Sequence, residues 1–344
     1  MALKEIMESN WKKHLLKSGL PFEYEVKECF VKQGCTVWDE FSYLKKDENA
    51  IEKEFSYDLD ANIWKGGHSV DFLIECKYKT EPTKWFFTPD PYYYQSDLSR
   101  NSFFHPIDHF SKHTFLFKNA PLDEVIKDPL GPFCLKGVEL FKDQHVETNI
   151  TKAIEQLSYA FIDKLISSLD EQLNSELFSD KIFLHIPIII TNADLHIINK
   201  NLTTQEIESA KSIDNISTQH NFLLYHNKIG ENLRDYNFDK LLTFFASSNT
   251  SKIEAKLNSF TKDINHLINV ISTNYSPQLI LIMHHDKNHS NYENLFSYIN
   301  FILTDTAERN LRIKKVQEEM KDKHLKFEEM LKEKKRSTTQ PKKH

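Results

Sequence analysis

The glycine pair Gly66-Gly67, set between two strand-like runs, constrains this chain more than any other feature. Phe55 to Trp64 reads as one strand and Val70 to Tyr78 as the next, the second apolar at Val70, Phe72, Leu73 and Ile74. Gly-Gly between such runs is a hairpin signal, because the favoured two-residue turn needs a positive φ at both positions. A turn about the Gly66–Gly67 bond makes paired residues carry numbers that sum to 133, which sets Asp58 opposite Glu75. Directly opposed side chains share a face, with Cβ atoms about 4.5–5.5 Å apart. Lys77, two residues beyond Glu75, falls on that face too.

Two facing carboxylates repel unless something neutralises them. A divalent cation is the natural agent, and hard oxygen ligands suit Mg²⁺, which combines one or two carboxylates with water and phosphate oxygens. A neighbouring lysine can orient or activate water and offset charge developing on a phosphorane. The expected chemistry is metal-assisted phosphodiester hydrolysis by in-line attack of water. Asp60 has the same parity as Asp58 but faces Leu73, so Asp58 is favoured over Asp60 and Asp71 as the partner of Glu75. Glu-x-Lys also occurs at Glu25/Lys27, Glu254/Lys256, Glu319/Lys321 and Glu333/Lys335. Only Glu75/Lys77 ends an apolar strand paired with an acid-bearing one.

Upstream, Phe22, Val26 and Phe30 fit helical spacing, with Pro21 suited to the start and Gly34 to the C-terminal cap. A strand opens at Cys35-Thr36-Val37-Trp38. Helix acid, strand acid and Leu73-Ile74-Glu75-Cys76-Lys77-Tyr78 together resemble the PD-(D/E)xK nuclease superfamily, with Mrr-like spacing. Tyr57-Asp58 stands in place of that family's Pro-Asp dipeptide. The resemblance covers residues 20–80 and extends in outline to about residue 200. It implies an α/β, restriction-endonuclease-like fold: a mixed central sheet flanked by helices, here with a mainly helical C-terminal extension. Asp58 and Glu75 would bind Mg²⁺ (or Mn²⁺), helped by the Cys76 backbone carbonyl. Lys77 would act on the water. Glu23 matches the helix acid, and Gln156 matches, loosely, an accessory polar residue on the later helix. DNA is the implied substrate, with restriction or defence against foreign DNA as the implied role.

The 344 residues allow two domains or one large α/β domain. The expected division is a nuclease core over 1–200, an α/β continuation or accessory region over 201–305, and a basic helical arm with a disordered tail over 306–344. The clearest helix spans 149–175. Ile182 to Thr191 and Gln278 to His284 read as buried strands, with Lys84 to Pro89, Leu195 to Asn199 and Asn221 to His226 as further strands. Residues 90–135 read as irregular, 202–220 as a polar helix plus loop, 231–275 as mostly helical, and the chain turns helical again from about Asn294.

Net charge is −6, but residues 308–344 hold 13 basic and 7 acidic side chains, leaving −12 on the rest. An acidic metal site can therefore coexist with a basic arm, which could bind a partner protein or form a homodimer. No apolar run reaches the ~18 residues of a membrane span, and the charged N-terminus carries no signal segment; a cytoplasmic location is expected. The four cysteines form no CxxC pair, so neither disulfides nor a cysteine zinc site is expected. His105, His109 and His113, and separately His284, His285 and His289, match no known metal spacing and read as structural. Glu25 and Glu28 read as solvated helix residues, and Trp85-Phe86-Phe87 as core. Two other readings remain open: a nuclease fold without catalysis that binds nucleic acid, and an interaction protein working through its C-terminal helix.

Overall fold

In the computed structural model the described residues are 11–46, 51–79, 82–90, 103–111, 130–141, 144–146, 148–256, 263–274, 276–304 and 318. His113 and, except for Glu318, the expected arm and tail over 306–344 lie outside them.

Helix α1 spans Leu20–Lys32 and has Pro21 in its first turn, where a missing N–H costs nothing. Gly34 follows its end at φ 88, and the Cys35 N–H reaches back to Phe30 O at 3.1 Å. Three antiparallel strands come next: β1 (Thr36–Lys46), β2 (Glu52–Lys65) and β3 (His68–Lys77). Gly66 and Gly67 form the β2–β3 turn with φ 56 and 82. The pairs run from Lys65↔His68 to Leu59↔Ile74, the register that the turn predicts.

Strands β4 (Lys84–Pro89), β5 (His105–Ile107), β6 (Phe133–Phe141) and β7 (Gln144–Val146) precede helix α2 (Thr148–Asn174). β8 (Phe183–Thr191) is buried along its whole length and lies parallel to β3. With β4–β7 inserted between β3 and α2, the remaining order is helix, three-strand meander, helix, parallel strand. The chain continues through β9 (Asp194–Ile198), α3 (Thr204–Ser209), β10 (Ser217–His220), β11 (Phe222–His226), α4 (Glu231–Ser247), α5 (Thr250–Lys256), α6 (Ile264–Asn274), β12 (Leu279–His284) and α7 (Ser290–Leu303). One mixed sheet runs β1-β2-β3-β8-β12-β11-β6-β4-β9-β10, with β5 beside β8 and β7 beside β6. Strands from both sides of residue 200 share it: β12 lies between β8 and β11.

Two apolar layers cover the sheet. Phe22, Val26 and Phe30 of α1 pack with Tyr292, Leu295, Phe296 and Ile299 of α7 over one face. On the other, Leu157, Leu165 and Leu169 of α2 pack with Leu241 of α4, Ile253 of α5 and Ile268 of α6. Burial of an aliphatic side chain on this scale contributes about 1.5–3 kcal/mol each, so the α2 stripe seen in the sequence is a major part of the core. Among the described residues no helix is long and apolar enough to cross a membrane.

Three parts differ from the sequence expectation. Residues 90–135 are not wholly irregular, since His105–Ile107 pairs with β8. β6 starts inside the same segment, at Phe133, and Gly137 interrupts its sequence pattern. That glycine is needed: a Cβ there would sit 2.4 Å from the Phe87 ring. β10 is a polar strand in a segment read as helix and loop, and pairing with β9 holds it rather than an apolar face of its own.

Gly66 also touches α7: a Cβ there would meet Leu303 O at 2.2 Å, whereas a Cβ on Gly67 meets nothing within 4 Å. Gly67→Ala should cost only the positive-φ penalty, about 1–2 kcal/mol, while Gly66→Ala adds a backbone collision. Urea denaturation of the two variants should rank Gly66→Ala as clearly the less stable; equal stabilities would contradict the α7 contact.

Candidate active site

The β2–β3 ladder ends at Leu59↔Ile74, one step before Asp58 and Glu75. There the side-chain alternation breaks. Leu59, Ala61 and Ile63 pack on the α1 side, yet Tyr57 joins the α2-side core, where it stacks on Phe41. Glu40, across from Asp58 on β1, takes φ 53, a conformation uncommon for a non-glycine residue. The bend frees Asp58 from strict alternation, and its Oδ2 accepts the Cys76 N–H at 2.6 Å.

Glu75 is fully buried on the central strand β3. Its Oε1 accepts a hydrogen bond from Lys77 Nζ, while its buried Oε2 has no partner among the described residues. Lys77 Nζ lies 3.4 Å from Gln156 Oε1 on α2. The Gln156 Nε2 donates to Ser56 O at 2.9 Å, which orients the amide so that its oxygen faces the lysine. Thr191 of the neighbouring strand donates to Lys77 O at 2.7 Å and fixes the end of β3. Cys76 turns its thiol into the α1-side core, so only its backbone borders the site.

Electrostatics tie these groups together. Burial pushes the Glu75 carboxyl from 4.5 to about 8, with the Asp58 charge adding and Lys77 opposing. Burial also raises Asp58, against the Cys76 N–H and Lys77, which lower it. Glu23 on α1 is raised by burial and then by Asp58, and is lowered by Lys77. Asp58, Glu75, Lys77, Glu23 and Gln156 are thus brought into one neighbourhood. The remaining acids are committed elsewhere. Asp60 pairs with Lys164 at 2.8 Å and accepts from Tyr57 Oη at 2.8 Å; Asp71 accepts from Asn62 at 2.8 Å near the hairpin turn.

Sequence reasoning missed two neighbours. The Tyr43 phenol is raised by burial and then by the Glu75 charge, and Glu40 raises both Asp58 and Glu23. Both lie on β1, whose pairing with β2 had no glycine turn to set its register. Trp85, Phe86 and Phe87 are buried, as expected for core residues. His105 sits in β5 and not on a helix, so the four-residue spacing to His109 aligns nothing. Glu25 is exposed, as expected for a solvated helix residue, and its carboxylate also lies 3.3 Å from His285 and 3.4 Å from His289.

No protein-family model, no curated protein and no solved structure matches this chain. The assignment of chemistry therefore rests on the site itself.

The donor set fits a hard divalent cation. Asp58 and Glu75 offer only oxygens, and the unpartnered Glu75 Oε2 is a buried acceptor that a cation would satisfy. Without the cation, the folded chain holds a proton on Glu75 that the unfolded chain has released between pH 4.5 and about 8. That contribution to stability is complete below pH 4.5 and is lost as pH rises to about 8. A cation must displace the same proton, so Mg²⁺ affinity should climb with pH, by up to about tenfold per unit, and level off near pH 8. Glu75→Gln should reduce both the stability slope and the pH dependence, leaving the smaller part that Asp58 and Glu23 contribute. Mg²⁺ titrations and urea denaturation across this range check both, and a pH-independent affinity would contradict the buried-acid assignment.

Proposed function

We propose that this chain is a Mg²⁺-dependent nuclease of the PD-(D/E)xK type that hydrolyses phosphodiester bonds in DNA. One observation carries the proposal: Asp58, Glu75 and Lys77 converge at the end of β3, and the buried Glu75 Oε2 is left without a partner. The order helix, meander, helix, parallel strand supports the restriction-endonuclease-like fold. Glu23, on the helix preceding that meander, occupies the place of the family's helix acid.

Asp58 and Glu75 would hold the cation, with the Cys76 backbone carbonyl alongside. When bound, Mg²⁺ supplies Lewis acidity towards a phosphate oxygen and lowers the pKa of water. The chain's own groups do the rest. Lys77 is held between Glu75 Oε1 and Gln156 Oε1, so its ammonium is fixed without being neutralised on every side. A cation so placed stabilises charge developing on the phosphorane and positions water for in-line attack. Gln156 acts as a positioning residue for Lys77, anchored by Ser56 O. Glu23 adds negative charge at the edge of the site, where it can order water around the cation. The biological setting we favour is restriction or defence against foreign DNA.

Linear, circular and single-stranded DNA incubated with the chain should be cut only in the presence of Mg²⁺ or Mn²⁺, with EDTA abolishing cleavage. Asp58→Ala, Glu75→Ala and Lys77→Ala should each lower the rate by about 10²-fold or more while leaving the chain folded by circular dichroism. Gln156→Ala should act more mildly. Full cleavage by Lys77→Ala would contradict the mechanism, and cleavage that survives EDTA would contradict the metal dependence.

A further inference from the structure

A second constellation lies at the same end of the sheet, on the α1 face. Thr191 of β8 pairs with Lys77 on one side and with His284 on the other. His285, one residue further, donates its backbone N–H to Thr191 O at 2.7 Å. Its ring meets Phe22 of α1 edge-on at 5.0 Å. From α1, Glu25 reaches across to it, and His289 joins from the loop leading into α7. The ligand atoms of Glu25, His285 and His289 all lie within 4.8 Å of one another.

The spacing favours shared coordination over ion pairing. Glu25 Oε1 is 3.3 Å from His285 Nε2 and 3.4 Å from His289 Nε2. Charge-assisted N–H···O bonds are usually about 2.7–2.9 Å, so these contacts are long for hydrogen bonds. Ligands about 2.0–2.1 Å from a tetrahedral Zn²⁺ stand about 3.3–3.4 Å apart, which is the separation of Glu25 Oε1 from each imidazole, while the two imidazole nitrogens lie within 4.8 Å of each other. Outer support is also in place. His285 Nδ1 lies 2.7 Å from the buried Tyr292 Oη. A hydrogen bond donated by Nδ1 to that oxygen is the tautomer that leaves Nε2 as a ligand. His289 takes φ 60, a left-handed state that histidine adopts more readily than most residues, in a loop in which Asp286 accepts the Ser290 and Asn291 N–H groups, each at 3.0 Å.

We propose that Glu25, His285 and His289 hold a Zn²⁺ ion that ties α1 to the loop between β12 and α7. Two imidazoles and one carboxylate suit a borderline cation, in contrast to the all-oxygen set at Asp58 and Glu75. Glu25 is half-exposed and His289 partly so, which leaves the fourth position open to water. Glu23 and Glu25 flank the buried stripe Phe22–Val26–Phe30 on opposite sides of α1. The zinc would therefore fix the helix that carries the outer acid of the first site without touching that site.

The test is metal binding, read independently of DNA cleavage. The full chain, stripped of metal by a chelator, is titrated with Zn²⁺ against a chromophoric competitor and with Co²⁺ read by its visible absorption. Wild type should bind one equivalent of Zn²⁺ at this site, and Co²⁺ should give the intense bands of four-coordination. Glu25→Gln and His289→Asn should each weaken Zn²⁺ by at least about tenfold and remove the bands. Asparagine tolerates the positive φ at 289, and Glu25→Gln changes a half-exposed group, so both variants should unfold at the wild-type temperature when metal-free. Asp58→Asn should leave zinc binding intact. Wild-type affinity no tighter than that of Glu25→Gln and His289→Asn overturns the site, as does loss of zinc binding in Asp58→Asn with both ligand variants unaffected.

Discussion

A carboxylate withdrawn from water on the central strand is the constraint around which the rest of this molecule is arranged. Removing an ionised group from solvent costs several kcal/mol even after relaxation, and Glu75, fully buried beside a second acid, Asp58, answers that cost by holding its proton up to about pH 8. The chain meets part of that cost with the Lys77 ammonium on Glu75 Oε1 and the Cys76 N–H on Asp58. It leaves Glu75 Oε2 unmatched. In the proposed active site that unmatched oxygen is the place for a cation.

The supporting structure follows from holding that carboxylate in place. The Gly66–Gly67 turn fixes the register as far as Leu59↔Ile74, one step before Asp58 and Glu75, and its close approach to Leu303 locks the turn against α7. α1 adds Glu23 from one layer, and α2 adds Gln156 from the other. β8, parallel to β3, closes the site from the side through Thr191. Each of the three layers thus gives a group to one end of one strand. The same end carries Glu25, His285 and His289 on the α1 face, so helix α1 contributes an acid to each of the two proposed centres.

What was legible in the sequence was local. A two-residue turn with a positive-φ requirement sets register by counting, and the α2 stripe and the apolar runs of β8 and β12 declare themselves by periodicity and length. Asp58, Glu75 and Lys77 followed from that counting. Long-range placement was less accessible. Gln156 could be singled out only by resemblance, and its role is decided by Ser56 and Lys77, far away in the chain. β6 was hidden by Gly137, whose presence answers to the Phe87 ring rather than to any local preference. β10 is polar and exists because β9 offers it an edge. The Glu25–His285–His289 grouping joins residues about 260 positions apart, and no spacing rule reaches that far.

The most direct measurement is anomalous diffraction from crystals of the chain grown or soaked with Mn²⁺, which replaces Mg²⁺ at oxygen sites and marks its own position. A peak within bonding distance of Asp58 and Glu75 Oε2, absent from Glu75→Gln crystals, is the predicted result. Ordered Glu75 with no anomalous peak beside it at saturating Mn²⁺, or with Oε2 bonded instead to another group of the protein, would contradict a metal-centred active site.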